Sequence, residues 1–262
     1  MAGSSDSQSE PGPIGTAKPR AASVDAAEVA GFEALAGGWW DPDGPFRPLH
    51  RFNPVRIGFI RDEACARFRR DPLAERPLGG LSLLDIGTGG GLVAEPLARL
   101  GAEVTGIDPA QKNIAVARAH AETMGLAIAY RDCAAETLAA EGAKFDIVLA
   151  LEVVEHVADL ASFLAAAAAL VKPGGLFIAS TLNRTTRAYA TAIVGAEYVL
   201  RWLPRGTHDW SKFLTPEELG AALTAAGLAP GTPRGLSFNP LTATWRVSND
   251  TGVNYVLTAS PA

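Results

Sequence analysis

Cysteine is nearly absent: the 262 residues include only Cys65 and Cys133. Two thiols cannot build a disulfide framework or a four-thiolate zinc site, so they read as reduced thiols of a cytoplasmic protein. Long apolar runs are missing too. No stretch reaches the roughly 18–20 residues that a membrane-spanning helix needs, and the N-terminus lacks the basic-then-apolar order of a signal peptide. Nor is there an excess of positive charge: 23 Lys and Arg stand against 28 Asp and Glu, a formal net charge of −5. Without a basic run to neutralise phosphates, duplex nucleic acid is a poor partner. With 48% hydrophobic and 19% charged residues, the chain reads as soluble and intracellular, with a core of ordinary size.

Residues 1–26 mix Ser, Gly, Pro and other small residues without periodicity and are expected to form a disordered tail. One domain is expected over 27–262. Its first part, 27–80, reads as a helical cap around an aromatic and basic loop that contains Trp39, Trp40, His50, Arg51 and Arg56. From residue 81 strands and helices alternate: strands at 82–86, 103–108, 127–131, 145–149 and 176–180, with helices at 91–100, 110–124 and 159–170. Such alternation implies right-handed crossovers and a doubly wound, mostly parallel α/β sheet. Two further runs, Thr242–Val247 and Val253–Ala259, read as an antiparallel hairpin closing one edge.

The strongest site signal is Asp85-Ile-Gly87-Thr88-Gly89-Gly90-Gly91, a strand that ends in glycines and turns into a helix. Such a turn lets a ligand approach the backbone at a helix N-terminus. A dinucleotide fingerprint would need a third glycine at position 92, where Leu92 stands. Asp85 precedes the first glycine by two and could bind an ammonium group or order the loop. Asp108 ends the second strand, placed to accept hydrogen bonds from a ribose. A ligand-free tight turn, a dinucleotide and S-adenosylmethionine (SAM) are the readings open at this point, with SAM favoured.

The string D-x-G-x-G-G-G, followed by V-T-G-I-D, F-D-I-V and K-P-G-G, resembles the class I SAM-dependent methyltransferases. Longer strings narrow the resemblance: Trp39-Trp40-Asp41, Phe46 to Arg56, Glu152-Val-Val-Glu155-His156, Ser180 to Arg184, Val194 to Tyr198 and Gly206 to Asp209 are similar to the ubiquinone-biosynthesis O-methyltransferases. The similarity covers about residues 30–258; Thr88 departs from it, standing where that family usually has Cys. The resemblance implies a Rossmann-like sheet of seven strands and methyl transfer from SAM to a phenolic oxygen of a polyprenylated catechol or quinol, at both O-methylation steps. Carried over residue by residue, it implies cofactor contacts from Arg56, Gly87, Asp108 and Leu151, with Asp85 and Gly89 in the same loop. A guanidinium fork at Arg56 suits the methionine carboxylate.

Methyl transfer from a sulfonium needs an oriented pair and a deprotonated oxygen. Glu152, Glu155 and His156 are spaced so that a helix would bring all three to one face, and they follow the fourth strand, at the edge where such sheets bind ligands. Two carboxylates and an imidazole can hold a divalent ion, and the resemblance implies that these three are catalytic and bind Mg²⁺. His156 as a metal-free base and a purely structural role stay open. His208-Asp209 is expected to line the substrate mouth, and His50 to close over the site. His120 reads as a surface residue and Cys133 as chemically bland.

Ala188 to Leu203 is almost wholly apolar and is edged by Arg184, Arg187, Arg201 and Arg205. It reads either as a buried core helix or as an interfacial one, with Tyr198 and Trp202 at the boundary. A polyprenyl substrate favours the second, so 184–212 is expected to be a substrate- and membrane-facing insertion. Peripheral contact with the inner face of the membrane through about 184–205 follows, and a quinone-biosynthesis enzyme complex is the further partner implied.

Overall fold

Leu83 and Leu84 point to opposite faces of a strand that is buried on both, and the fold is built around that fact. In the computed structural model, which describes residues 23–190, 210–239, 242 and 244–262, Ser82–Ile86 (β1) pairs in parallel with Glu103–Ile107 (β2) and Phe145–Leu151 (β4). Ala129–Arg131 (β3) flanks β2 and Val171–Leu182 (β5) flanks β4, all parallel. Alternation sorts the core into two layers. On one face Leu83, Val104, Ile147 and Ile178 pack with Ile60, Leu97 and Ile114, carried by Arg47–Phe68 (α2), Ala94–Arg99 (α3) and Gln111–Thr123 (α4). On the other, Leu84, Val148 and Phe177 pack with Leu138, Phe163 and Leu219, from Ala135–Ala140 (α5), Leu160–Ala169 (α6) and, beyond the helical turn Thr186–Ala188 (α7), Pro216–Ala225 (α8).

The doubly wound sheet is as expected; its C-terminal edge is not. Leu228–Pro230 (β6), Arg234–Asn239 (β7), Thr244–Ser248 (β8) and Asn254–Pro261 (β9) complete the order β3-β2-β1-β4-β5-β9-β7-β8, with β6 also on β9. This gives nine strands among the described residues rather than seven. The expected hairpin between the last two runs does not form. β9 lies antiparallel between β5 and β7, while β8 pairs with β7. Burial explains the order: Tyr255, Val256, Leu257 and Ala259 are all buried, which suits an interior strand, whereas no residue of β8 is buried.

The last residues of the expected tail, 23–26, are among the described ones. Asp25 caps Ala26–Leu35 (α1), accepting from the Ala27 amide at 2.9 Å, so only residues 1–22 of the expected tail lie outside the described residues. The aromatic and basic stretch is mostly helical rather than a loop, because α2 already begins at Arg47. Pro48 sits in its first turn, where a missing N–H costs nothing. Pro54 lies inside the helix and removes one backbone hydrogen bond. Burial of Phe52, Phe59 and Ile60, and the Asn53 amide donating to the Leu92 carbonyl at 2.8 Å, hold the helix across it.

Candidate functional site

The turn after β1 needs glycine for two reasons. Gly87 and Gly89 have φ of 71° and 55°, a region that L side chains rarely adopt. Space is also lacking: a Cβ at Gly89 would lie 2.4 Å from the Trp39 ring. That ring stacks on Phe46 with centroids 3.7 Å apart and donates from Nε1 to Asn113 at 2.9 Å. Trp40 donates to the Gly90 carbonyl at 2.9 Å and stacks on His120 at 3.5 Å. The N-terminal aromatics are therefore the packing surface of the glycine turn. His50 holds the Trp39 carbonyl at 2.9 Å, so it supports this surface rather than covering the site. His120 is not a simple surface residue, since its Nδ1 lies 2.6 Å from the buried Glu95.

The acids around the turn are buried and bonded. Asp108 accepts from the Gly89 amide at 3.0 Å and the Ala110 amide at 2.8 Å, which still leaves lone pairs for a ligand hydroxyl. Burial raises its pKa, and those backbone donors oppose the rise. Asp85 accepts from the Thr88 hydroxyl at 2.8 Å and so orders the loop, and a thiol at position 88 would be a weaker donor. Burial pushes the Asp85 carboxyl up to about 6. The nearest buried cation is Arg56, whose guanidinium lies 4.8 Å from the Phe52 ring centroid and donates from Nε to Asn53 at 3.2 Å.

Glu152, Glu155 and His156 do not share a helix face. The chain turns after Leu151, and α6 begins only at Leu160, behind its Asp159 cap. Glu152 has φ of 55°, which ends any regular element and stores strain of the kind found at functional sites. Its carboxylate accepts from the Ser180 hydroxyl at 2.7 Å. His156 turns the other way, with Nδ1 3.1 Å from Glu28 on α1 and its ring edge-on to Phe32. Glu155 is buried, and its Oε2 has no hydrogen-bond partner. Burial and then the Glu152 charge raise its pKa. Among the described residues no group of three or more His, Cys, Asp or Glu side chains is gathered to hold a metal ion. As placed, the expected Mg²⁺ ligands therefore do not form a coordination set.

One cavity nevertheless unites the expected site. Arg56, Asp85, Gly87, Gly89, Asp108 and Leu151 line it, together with Glu152, Glu155 and His156. Glu28, Phe32 and Trp39 line it too, and no local pattern in the sequence pointed to Glu28 as a member. Cys133 also lines it. His208, Asp209 and the 191–209 part of the expected insertion lie outside the described residues.

A family model described as a methyltransferase domain matches residues 58–230. The ubiquinone biosynthesis O-methyltransferase of Methylobacterium sp. (strain 4-46) is 58% identical, over 92% of this chain and 97% of its own. That of Methylobacterium nodulans is 59% identical, over 90% and 95%. Among solved structures, the magnesium protoporphyrin IX methyltransferase of Synechocystis PCC 6803 with bound SAH aligns at a TM-score of 0.60. It shares 20% identity over 89% of this chain and 95% of that one. A SAM-dependent methyltransferase of Thermotoga maritima aligns at 0.56, with 20% identity over 88% and 98%. These likenesses establish the class I methyltransferase fold. By sequence over nine-tenths of its length, the chain belongs to the family of ubiquinone biosynthesis O-methyltransferases.

Proposed function

We propose that the protein methylates phenolic oxygens of polyprenylated catechol or quinol intermediates, using SAM, at both O-methylation steps of ubiquinone biosynthesis. The convergence of the glycine turn, Arg56, Asp108 and the 152–156 turn on one cavity carries this reading, beside the named relatives. The donor set suits SAM: a buried guanidinium for a carboxylate, an acid at the end of β2 for ribose hydroxyls and a close-approach turn between them. The chemistry that SAM supplies when bound is a sulfonium methyl: the phenolate electron pair forms the O–C bond, and the C–S pair goes to sulfur. Arg56, Asp108 and the glycine turn orient the pair, and the 27–80 cap excludes water through Phe32, Trp39 and Phe46. His156 accepts the phenolic proton, and the Glu28 carboxylate beside its Nδ1, with Glu152 lining the same cavity, favours the resulting positive imidazolium.

A second reading keeps Mg²⁺. The unpartnered, buried Glu155 Oε2 beside Glu152 is a hard oxygen donor of the type that Mg²⁺ takes. This reading requires the 152–156 turn to rearrange, because Ser180 and Glu28 now engage the other two side chains. Turnover of a short-chain prenylated catechol, with and without excess chelator, separates the readings. Full activity in chelator together with loss on His156→Gln supports the proton-acceptor role. Loss in chelator, restored by Mg²⁺, supports the metal.

The same reading has the protein working peripherally at the cytoplasmic face of the membrane, where a polyprenyl substrate resides, and within an assembly of quinone-biosynthesis enzymes. The apolar sequence of 188–203 supports membrane contact, as do exposed Tyr189 and Trp210 at the described ends of that region. Arg184 and Arg187 pair with Glu218 and Asp250; Arg201 and Arg205, at the far edge of the apolar sequence, are the other basic residues for anionic headgroups. Among the described residues no helix is long and apolar enough to cross a membrane.

A further inference from the structure

We infer that Glu28, contributed by the N-terminal helix, is the positioning residue that orients His156 as a proton acceptor. The inference rests on the His156 reading above. Glu28 Oε2 lies 3.1 Å from His156 Nδ1, and its Oε1 lies 2.7 Å from Lys212 Nζ. Three parts of the chain thus meet at one carboxylate: α1, the turn after β4, and the short 3-10 turn Trp210–Lys212. A carboxylate can only accept, so Nδ1 donates, and the neutral ring carries its proton there. Nε2 then keeps its lone pair, which is the form a base needs.

Phe32 stands four residues after Glu28, on the same side of α1, and places its ring against that of His156 with centroids 5.3 Å apart at 87°. Hydrogen bond and ring contact together fix the direction of the imidazole plane. α1 itself has no fully buried residue; Phe32 and Leu35 pack against the Trp39 and Phe46 cluster, and polar contacts add to its docking: Glu28 to His156, and Lys212 to Glu28 and to Asp25 at 3.8 Å. An exposed ion pair would be worth little, but these groups are half-buried against the cavity wall.

The test combines steady-state kinetics with ¹⁵N NMR of the histidine rings in the full chain. The chain has four histidines, and His156→Gln assigns the signal. Glu28→Ala should lower kcat about 10- to 100-fold, leave the KM for SAM within about twofold, and shift His156 from the Nδ1–H tautomer to a mixture. Glu28→Gln keeps an accepting oxygen and should restore most of both properties. Lys212→Met separates docking from orientation, since it releases the other oxygen and leaves the His156 contact. A kcat loss in Lys212→Met as large as in Glu28→Ala, with the tautomer unchanged, would overturn the inference in favour of simple docking. An unchanged kcat or tautomer in Glu28→Ala would also overturn it while His156→Gln remains inactive. An active His156→Gln would instead sink the proton-acceptor reading itself.

Discussion

The backbone N–H of Gly89 donates to Asp108 Oδ2 at 3.0 Å. The acid assigned to the ribose therefore also fixes the turn assigned to the rest of the cofactor. Asp108→Ala removes a charged acceptor from two backbone amides and from the ligand. At roughly 1.5–3 kcal/mol for a hydrogen bond to a charged group, SAM affinity should fall by about 10- to 150-fold, and the melting temperature should drop as well. Calorimetric titration and a thermal melt check both effects. Unchanged affinity would remove Asp108 from the cofactor site.

Asp85 makes stability depend on pH. Its carboxyl rises from 3.8 to about 6 through burial, against the Thr88 hydrogen bond and the Arg56 charge. A carboxyl whose folded pKa exceeds its unfolded one binds more protons when folded, so its contribution is greatest below about 4 and is lost as pH rises to about 6. At about 1.4 kcal/mol per pKa unit the loss totals about 3 kcal/mol. The buried Glu155, raised from 4.5 to about 8, adds a decline that overlaps this window and extends to about pH 8. Denaturant melts of the ligand-free protein should show Asp85→Asn flattening the curve between pH 4 and 6 and gaining stability at pH 7.5. A stability difference between wild type and Asp85→Asn that stays constant from pH 4 to 6 would contradict the assignment.

Gly89 and Gly31 should respond in opposite ways to the same change. A Cβ at Gly89 meets the Trp39 ring at 2.4 Å, on a backbone with φ of 55°. Gly89→Ala should lower the melting temperature by several degrees, shift Trp39 fluorescence and weaken SAM binding. A Cβ at Gly31 meets nothing within 4 Å inside α1, so Gly31→Ala should stabilise by about 0.5–1 kcal/mol. Equal melting temperatures for the two variants would show that the Trp39 contact does not hold the turn.

The parallel half of the fold was legible in the sequence because each strand there is a short apolar run closed by a turn. Its glycine loop could be read because strand, glycine and acid follow one another locally. The C-terminal edge could not be read from local pattern, because β9 is inserted between strands that precede it in the chain. Glu152-Val-Val-Glu155-His156 has helical spacing, and only the positive φ at Glu152 reveals that it is a turn. Glu28 was invisible for a different reason: its partner lies 128 residues away, and nothing near it in sequence marks a site.

Membrane contact has its own check. Near an anionic surface each basic side chain contributes on the order of 1 kcal/mol, and salt screens it within about 10 Å at 0.1 M. Co-sedimentation should rise with anionic lipid content and fall with salt, and Arg201→Glu with Arg205→Glu should abolish it without changing SAM affinity. Wild-type protein that stays in the supernatant with anionic vesicles at low salt would contradict peripheral binding.

The most direct test of the account is product analysis with methyl-labelled SAM and a short-chain prenylated catechol. Mass spectrometry should find the label on a phenolic oxygen, with SAH formed in equal amount, and Arg56→Ala should reduce turnover because the cofactor carboxylate loses its guanidinium. Bound SAM with no methylation of the prenylated catechol, beside turnover of an unprenylated soluble phenol, would contradict it.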